Sequence, residues 1–461
     1  MSLHVTNTMT RKKELFVPIS GKNVGLYSCG PTVYHDAHIG NLRTFMFNDV
    51  LKRSLEYLGF NVKHVMNITD VGHLESDADT GEDKMAKGAK REGLSVWDIA
   101  KKYEESMWKD MAALNNRRPD IVCNATKHIK QMQDMIKKIE KNKHTYTADG
   151  NVYYDISTFP DYTKLSGAKL EDEKESRVEE DEHKKNKHDF VLWFTRSKFM
   201  NQEMQWDSPW GSGFPGWHIE CSAMSSHYLG EQFDIHTGGE DLVHIHHTNE
   251  IAQAEGAFKK HPWVKYWMHT GFLIDKGGKI SKSKGEFLNL NSLIRMGFSP
   301  MHYRYFCLTA HYRQQLMLSE EALESSKQSY ERLKRTIIEL RKQKNSSGEV
   351  ALFQQQFKEA VEDDINTPKA LSVLWDALRS DLGSKEKLAL ALEFDKVIGF
   401  GLKDVKEENV NVPAEVKKLL DERDSARKKK EWKRSDELRD KIKEKGFLVL
   451  DTPEGQKVEQ V

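Results

Sequence analysis

The sequence predicts an α/β fold built on a parallel sheet, and three features near the N-terminus predict it. An apolar run at residues 24–28 is typical of a buried strand. It leads through a Gly-Pro turn into residues 42–51, whose apolar side chains recur at helical spacing. A second strand-like segment, residues 61–70, ends in polar side chains. This strand–helix–strand order is the building unit of a parallel sheet.

Length and composition indicate a multidomain protein without a membrane span or a disulfide framework. The chain has 461 residues, which predicts about two to four domains. Lysine plus arginine equals aspartate plus glutamate at 71 each, so any nucleic-acid contact must come from a local patch. No secretory signal or apolar run of about 18 residues is present, and four cysteines are too few for a disulfide framework. We therefore expect a soluble, cytoplasmic protein with reduced thiols and no membrane partner.

The turn after the first strand has the chemistry of an anion site. A helix that starts at the end of a parallel strand presents free N–H groups and the positive end of its dipole to a phosphate. His35 and His38 stand at this point, and Cys29 ends the strand. The alternative is a hydrogen-bonding surface histidine and a small buried cysteine.

The middle of the chain continues the pattern of strands and helices. The sequence predicts an irregular, mobile segment at residues 77–90, helices at residues 96–114 and 126–142, and a strand at residues 151–156. Residues 170–188 hold almost no apolar side chain and predict a solvated loop.

Two further stretches supply groups that bind metals. Trp217 and Cys221 share one face of a helix if that helix begins at Gly216, and His246 and Glu250 are also one helical turn apart. Two thiols, counting Cys29, with one imidazole and one carboxylate make a tetrahedral zinc set. No compact CxxC pair is present, and the histidine–glutamate spacing by itself is common on ordinary amphipathic helices, so the metal set depends on the motifs that follow.

A lysine-rich loop follows at residues 271–285. Its pattern predicts a hairpin, and small residues flank Lys279 and Lys282. The two ammonium groups could contact a polyphosphate and offset charge as it develops. A solvated turn is the alternative.

The pattern of the C-terminal third predicts helices. Ser319 is a predicted N-cap, and apolar residues between 371 and 378 fit a buried helix face. Residues 404–413 predict a charged linker. Residues 422–445 predict a basic helix that also carries Trp432, which is either a solvated face or an RNA contact.

Several of these motifs together resemble one family. His38-Ile39-Gly40-Asn41 resembles the HIGH signature of class I aminoacyl-tRNA synthetases, and residues 279–283 resemble their KMSKS loop. Residues 29–34, 215–224 and 246–253 are similar to the cysteine-specific members, the cysteinyl-tRNA synthetases, as are residues 363–368 and 451–455. Asn41 replaces the second histidine of HIGH, Ile280 replaces methionine, and Thr248 stands where many relatives have glutamate.

The resemblance implies a reaction and its participants. ATP would activate L-cysteine to cysteinyl-adenylate with release of pyrophosphate, and cysteine would pass to the 3′ end of tRNA-Cys. One Zn²⁺ per chain would bind the substrate thiolate and discriminate against serine, and Mg²⁺ would accompany ATP. The family's tendency predicts a monomer.

The resemblance also implies roles for individual residues. Those for catalysis are His38, Lys279 and Lys282. Those for ATP are His35, His38, Gly40, Asn41, Gly238, Gly239, Asp241, Lys279, Ser281 and Lys282. Those for the amino-acid pocket are Gly30, Thr69, Trp217 and His236. Those for zinc are Cys29, Cys221, His246 and Glu250, and those for tRNA are Arg427, Lys430, Trp432 and Arg434.

The implied architecture is a class I Rossmann-like parallel-sheet catalytic domain with an insertion, a stem-contact region, an α-helical anticodon-binding bundle and a small C-terminal extension. The corresponding residues are 1–120 and 206–265 for the two catalytic halves, 121–205 for the connective insertion, 266–316 for the stem-contact region, 317–402 for the bundle and 403–461 for the basic extension.

Two other functions remain open at this stage. A cysteine-activating amine ligase of the mycothiol type would share the adenylate chemistry but would not need the basic C-terminal segment. A non-catalytic zinc-containing RNA-binding protein would not need His38, Lys279 and Lys282.

Overall fold

The computed structural model describes residues 2–72, 84–167, 182–195, 203–275, 278–279, 288–407, 413–452 and 455–460. The chain forms two compact units, Met1–Lys403 and Asp404–Val461. None of the helices in these described ranges is both long enough and apolar enough to span a membrane.

The secondary structure consists of strands and helices in the following chain order. The strands are β1 (His4–Asn7), β2 (Lys12–Leu15), β3 (Asn23–Ser28), β4 (Asn61–Ile68), β5 (Ile121–Asn124), β6 (Thr145–Ala148), β7 (Asn151–Tyr154), β8 (Phe190–Phe194), β9 (Phe214–Pro215), β10 (Phe233–Gly239), β11 (Val264–Thr270), β12 (Leu273–Asp275), β13 (Gly278–Lys279), β14 (Leu316–Met317), β15 (Phe447–Thr452) and β16 (Gly455–Gln460). The helices are α1 (Ile39–Tyr57), α2 (Lys84–Glu92), α3 (Val96–Ala113), α4 (Ile129–Lys141), α5 (Trp217–Leu229), α6 (His246–Phe258), α7 (Leu290–Arg295), α8 (Pro300–Leu308), α9 (Glu320–Lys342), α10 (Ala351–Glu362), α11 (Thr367–Arg379), α12 (Ser384–Ile398), α13 (Ala414–Lys428) and α14 (Trp432–Glu444).

The predicted parallel sheet is confirmed. Its five strands lie in the order β11-β10-β3-β4-β5, and every neighbouring pair is parallel. The chain builds outward from β3 to β5 and later returns to the other side of β3 with β10. The order therefore reverses between β3 and β10, and the crevice at the carboxyl ends of such strands is where open α/β sheets bind ligands.

Both faces of the sheet are covered by helices. Val65 on β4 packs in one cluster with Ile219 of α5 and Ile251 of α6. Its neighbour Met66 packs in another cluster with Leu42 of α1. Successive strand residues point to opposite faces, so a strand covered on both sides needs apolar residues in succession. This explains why Val65 and Met66, near the end of β4, are successive apolar residues rather than an apolar and a polar one.

The segment between β5 and α5 forms a subsidiary layer. Strands β6 to β9 make an antiparallel sheet in chain order, and α4 packs against α5 and α6. The strand predicted at residues 151–156 is confirmed as β7, and the predicted helix at residues 126–142 as α4. Residues 170–181 of the predicted charged loop lie outside the described ranges.

After β11 the chain forms a small sheet and a group of helices. The small sheet has the order β13-β12-β14, and helices α8 to α12 follow or flank it. Ser319 is confirmed as the N-cap of α9, because its side chain accepts a hydrogen bond from the Ala322 N–H. Of the residues predicted for the buried face of α11, Leu371, Val373, Leu374 and Leu378 are buried, whereas Trp375 is only half-buried.

A buried aspartate joins the beginning of the chain to this helical region. The Asp364 carboxylate, at the corner between α10 and α11, accepts hydrogen bonds from the Thr6 N–H and the Tyr312 hydroxyl, both at 2.8 Å. The Asp364 N–H donates to the His4 carbonyl. Strand β1 is therefore fixed to residues more than 350 positions later in the chain.

The second unit consists of α13 and α14 with the hairpin of β15 and β16. Val416, Ile442, Phe447 and Val449 form its core. The prediction of one basic helix over residues 422–445 is wrong, because α13 ends at Lys428 and α14 begins at Trp432. Lys430 in the turn has a φ of 60°, which a right-handed helix cannot accommodate.

Candidate active site

A cavity of about 360 Å³ opens at the carboxyl edge of the main sheet, beside the point where strand order reverses. It collects residues from the ends of β3, β4, β10 and β11 and from the start of α1. Most of the residues predicted for cysteine, ATP and metal lie on its wall: Cys29, Gly30, His35, His38, Gly40, Asn41, Thr69, Trp217, Cys221, Gly238, Gly239, Asp241 and His246.

The four predicted zinc ligands come together. The candidate ligand atoms of Cys29, Cys221, His246 and Glu250 all lie within 4.8 Å of one another, and all four residues are buried. The two sulfur atoms are 3.9 Å apart, and His246 Nε2 is 2.9 Å from Glu250 Oε1. Thiolate, imidazole and carboxylate donors at these separations fit a tetrahedral zinc ion. Cys29, His236, His247 and Glu250 form a second, overlapping set that also meets the 4.8 Å limit.

The local elements explain this convergence. Cys29 directly follows β3, whereas α5 begins at Trp217 and α6 at His246. Trp217 and Cys221 therefore lie on one face of α5, and His246 and Glu250 lie on one face of α6. The two helices pack together on the same face of the sheet. The helix start predicted at Gly216 is confirmed, since Gly216 is the N-cap of α5.

A layer of histidines supports the metal set from behind. His218 Nδ1 lies 2.9 Å from His246 Nδ1, and His236 Nε2 lies 2.9 Å from Glu250 Oε2. His247 Nε2 is 3.3 Å from the Cys29 sulfur. Hydrogen bonds from such partners orient the ligand side chains. His236, predicted for the amino-acid pocket, is thus placed behind Glu250 rather than on the cavity wall.

The buried charges of the set are strongly coupled. Burial lowers the pKa of His246, but the charges of Glu250 and Cys221 outweigh burial and raise it to about 10. Burial raises the pKa of Cys29 well above its usual value. For Cys221 the effect of burial is exceeded by the hydrogen bond from Cys29 and the charge of His246, so its pKa is lowered. A metal ion would therefore compete with protons held on Cys29 and His246.

Glycine is required at two positions of the wall. A Cβ on Gly30 would lie 1.7 Å from the Asn67 carbonyl oxygen, and one on Gly238 would lie 2.6 Å from His247 Cε1. The Gly30 N–H also donates to the Asn67 side-chain oxygen at 2.8 Å. These close approaches bring the end of β3 against the end of β4, and the end of β10 against His247 of α6, at the cavity.

The histidines of the first motif occupy distinct positions. His38 is the N-cap of α1, and its Nδ1 accepts a hydrogen bond from the Gly40 N–H at 3.1 Å. His35 stacks on Tyr103 of α3, with ring centroids 5.8 Å apart. The start of α1 therefore faces the cavity with His38 fixed beside it, as the sequence predicts.

The predicted amino-acid residues border the metal set. The Trp217 ring lies 4.1 Å from the His246 ring, measured between centroids. Thr69 accepts a hydrogen bond from Asn67 and donates one to Glu220 at 2.8 Å, so its hydroxyl is fixed at the end of β4. Gly239 and Asp241 also line the cavity, and a Cβ on Gly239 would lie 4.0 Å from Thr44 Oγ1 of α1.

Sequence reasoning missed several residues of the cavity and its surroundings. Asn67, Asp36 and Lys84 line the cavity. Arg43 on α1 donates to the carbonyls of Gly271 and Phe272 at 2.7 and 2.9 Å. Asn67, two residues before Thr69 at the end of the same strand, could have been found from its position; the other three residues carry no local signal.

The lysine loop is only partly described. The predicted hairpin is confirmed, because β12 pairs antiparallel with β13 and aligns Ile274 with Lys279. The Lys279 side chain, Ser281 and Lys282 lie outside the described ranges.

The predicted tRNA residues lie in the second unit. Trp432 is exposed, with 56% of its surface accessible, and the Arg427 guanidinium lies 5.8 Å from its ring centroid. Arg427 also pairs with Asp451 at 3.1 Å, and Arg434 approaches Glu422 at 3.9 Å. Lys430 occupies the turn between α13 and α14. Arg423, by contrast, is buried and holds Asp451 and Gln456.

Comparison with known protein families gives a consistent result along the chain. Residues 15–328 match the family model described as the catalytic domain of class I (C) tRNA synthetases. Residues 356–380 match the DALR domain, and residues 410–458 match the cysteinyl-tRNA ligase anticodon binding domain.

Individual relatives extend over the same length. A cysteine–tRNA ligase of Treponema denticola is 47% identical, covering 98% of each chain, and cysteine–tRNA ligase 1 of Burkholderia lata is 45% identical, covering 99% of this chain and 97% of the relative. Among solved structures, methionyl-tRNA synthetase of Mycobacterium tuberculosis bound by methionyl-adenylate superimposes with a TM-score of 0.54 at 13% identity, covering 82% of this chain and 90% of that one. This structure supports the fold alone. Taken with the parallel sheet and the site at its carboxyl edge, the family match over residues 15–328 and the full-length identity show that this chain belongs to the cysteinyl-tRNA synthetases, a family of class I aminoacyl-tRNA ligases.

Proposed function

We propose that this protein is a cysteine–tRNA ligase that activates L-cysteine with ATP and transfers it to the 3′ end of tRNA-Cys. The observation that carries the proposal is the buried set of Cys29, Cys221, His246 and Glu250, of which the first three line the cavity at the start of α1. One cavity thus holds a group of thiophilic metal ligands beside a helix N-terminus suited to phosphate.

Cysteine selection depends on the metal set in this proposal. Serine differs from cysteine by oxygen in place of sulfur, and pocket shape alone discriminates weakly between groups of similar size. Zinc, when bound, would supply direct bonding to the soft substrate sulfur. The protein's part is to hold the four ligands with His218 and His236, and to wall the pocket with Gly30, Thr69 and Trp217.

ATP occupies the remainder of the cavity in this proposal. Gly238 and Gly239 allow the adenosine to approach the backbone, and Asp241 binds the ribose hydroxyls. His35, His38, Gly40 and Asn41 contact the phosphates at the start of α1, with Mg²⁺ accompanying them. Lys279, Ser281 and Lys282 belong to the loop that offsets pyrophosphate charge.

Adenylate formation then needs positioning more than a protein nucleophile. The cysteine carboxylate attacks the α-phosphorus of ATP, a carboxylate-oxygen–phosphorus bond forms, and the bond to pyrophosphate breaks. Aligning the two substrates lowers the entropic part of the barrier. Charge on the departing pyrophosphate is stabilised by preorganised positive groups.

In the second unit, Arg427, Lys430, Trp432 and Arg434 contact tRNA through phosphate pairing and base stacking.

The test is aminoacylation with zinc-loaded protein, Mg-ATP, radiolabelled cysteine and a tRNA-Cys transcript, beside a tRNA-Ser control. Charging of tRNA-Cys alone is expected. Adenylate formation without charging would instead indicate the amine ligase, and absence of both activities would overturn the proposal.

A Cys221→Ser variant tests the metal step separately. Oxygen is a poorer zinc ligand than thiolate, so zinc content by atomic absorption and preference for cysteine over serine should fall together. Cys307→Ser is the matched control, because Cys307 is buried in another cluster. Full zinc retention in Cys221→Ser would remove Cys221 from the ligand set.

A further inference from the structure

We infer that Lys84 binds the carboxylate of the amino-acid substrate; this deepens the proposed function and rests on it. Lys84 is the first residue of α2 and lines the cavity. Among the described residues on the cavity wall, it is the only lysine or arginine. Asp36 and Asp241 on the same wall are acidic. Both proposed small substrates carry an anionic group, the carboxylate of cysteine and the phosphates of ATP, so a positive charge among these described residues has a specific use.

The position of Lys84 relative to the metal set fits the carboxylate of a cysteine bound there. Its ammonium lies 5.5 Å from the centroid of the Trp217 ring, and that ring lies 4.1 Å from the His246 ring. The carboxyl carbon of cysteine is three covalent bonds from the sulfur, a reach of about 4 Å. A cysteine whose sulfur is held at the metal set therefore extends its carboxylate along the Trp217 ring toward Lys84.

The surroundings hold Lys84 in place. Met85, the next residue, is 1% exposed, and Gly88 packs so closely that a Cβ would lie 3.0 Å from the Tyr34 carbonyl oxygen. Arg91, near the end of α2, donates to the same carbonyl and to the Tyr103 hydroxyl, both at 3.1 Å. Tyr34 and Tyr103 themselves line the cavity. Helix α2 is thus attached to the cavity wall at both ends.

This arrangement assigns a chemical role. An ammonium beside the carboxylate orients one of its oxygens for attack on the α-phosphorus, while the stacked Trp217 ring limits where the cation can move. Lys84 gains and loses no proton in this role. It acts as a positive charge that selects an α-amino acid over an amine that carries the same thiol.

The test compares L-cysteine with cysteamine, which lacks the carboxylate. Both are titrated into zinc-loaded wild-type protein, Lys84→Met and Lys84→Arg by isothermal titration calorimetry. Wild type should bind cysteine about 10- to 100-fold more tightly than cysteamine, the usual effect of one hydrogen bond to a charged group. In Lys84→Met the two affinities should agree within about twofold, and Lys84→Arg should restore part of the preference.

Lys90→Met is the matched control, since Lys90 is exposed on the same helix and absent from the cavity wall. It should behave as wild type. Retention of the cysteine preference in Lys84→Met, or an equal loss of both ligands, would overturn the assignment. A rise in the KM for ATP alone, measured by ATP–pyrophosphate exchange, would also overturn it. If wild type binds serine as tightly as cysteine, the proposed function itself fails. This result concerns the wild-type protein alone and is therefore distinguishable from the outcomes that test Lys84.

Discussion

The fit of single residues determines the shape of the amino-acid end of the cavity. Gly30 has the Asn67 carbonyl oxygen 1.7 Å from where a Cβ would be, a separation that no side chain tolerates. Because that oxygen belongs to the backbone of β4, a Gly30→Ala substitution must move the ends of two strands apart.

Gly30→Ala should therefore raise the KM for cysteine by more than about 10-fold and lower the free energy of unfolding by about 1–3 kcal/mol. ATP–pyrophosphate exchange and urea unfolding measure the two effects. Gly25→Ala on β3 is the control, because the nearest atom that its Cβ would meet is a side-chain carbon at 3.3 Å. Equal KM values for the two variants would show that the close approach does not shape the pocket.

Asp110 on α3 provides a pH test at the same scale. Burial, with the nearby charge of Asp36, raises the Asp110 pKa to about 6. The folded state then binds more protons than the unfolded state between about pH 4 and 6, so this carboxyl favours folding at low pH and the benefit is lost as pH rises through 6. At pH 7 the free energy of unfolding of Asp110→Asn should exceed that of wild type by about 1–2 kcal/mol, a value that is reduced because Asp110 is partly exposed. At pH 4 the two free energies of unfolding should be nearly equal. Unfolding midpoints at the two pH values check this. An equal change at both would place the effect outside Asp110 ionisation.

At the scale of the elements, one buried arginine holds three parts of the first unit together. Arg304 on α8 pairs with Asp49 of α1 at 2.9 Å and donates to the carbonyls of Leu114, after α3, and Ile398, at the end of α12. Its side chain is fully buried. Removing one partner of a buried ion pair leaves a charge that water cannot reach.

Arg304→Met should therefore lower the free energy of unfolding by about 3 kcal/mol. The KM for cysteine at a permissive temperature should stay within about twofold of wild type, since Arg304 is not part of the cavity wall. Arg379→Met removes an ion pair with Asp376 in which both side chains are more than half exposed, and should cost less than about 0.5 kcal/mol. Equal losses in the two variants would contradict this reading of the buried pair.

The elements also show how far sequence reasoning extends. The apolar run of β3 and the helical spacing of apolar residues in α1 are local and predicted both elements, although α1 extends six residues beyond the predicted 42–51. For α5 the sequence predicted only the start, at Gly216. The boundary between α13 and α14 was missed because lysine at residue 430 gives no warning of a left-handed backbone. The metal ligands were predicted from their donor types together with the resemblance to the cysteinyl-tRNA synthetases, because the helical spacing of His246 and Glu250 is by itself common on ordinary helices. The carbonyl contacts of Arg43 depend on strands more than 200 residues away and have no signature near Arg43 itself.

For the molecule as a whole, the two compact units predict separable effects on the two reaction steps. Trp432 is exposed in the second unit, whereas the cavity lies in the first. Trp432→Ala should raise the KM for tRNA-Cys by about 10-fold, the usual loss for one stacked base, and leave ATP–pyrophosphate exchange unchanged. Trp97→Ala, an exposed tryptophan of α3, is the control. A Trp432→Ala protein with normal tRNA kinetics would remove this residue from the tRNA contact.

The hydrogen bonds of Asp364 to β1 have a consequence during synthesis on the ribosome. Residues 4–7 leave the exit tunnel early, but the carboxylate that fixes Thr6 is added 358 residues later. At translation rates of about 5–20 residues per second, the nascent N-terminal strand waits about 20–70 s for this partner. The first unit therefore cannot complete its native contacts cotranslationally until most of the chain has been made. Strands β1 and β2 have only their own hairpin until β11 has been synthesised, and β1 then gains the contact with β11 before Asp364 appears.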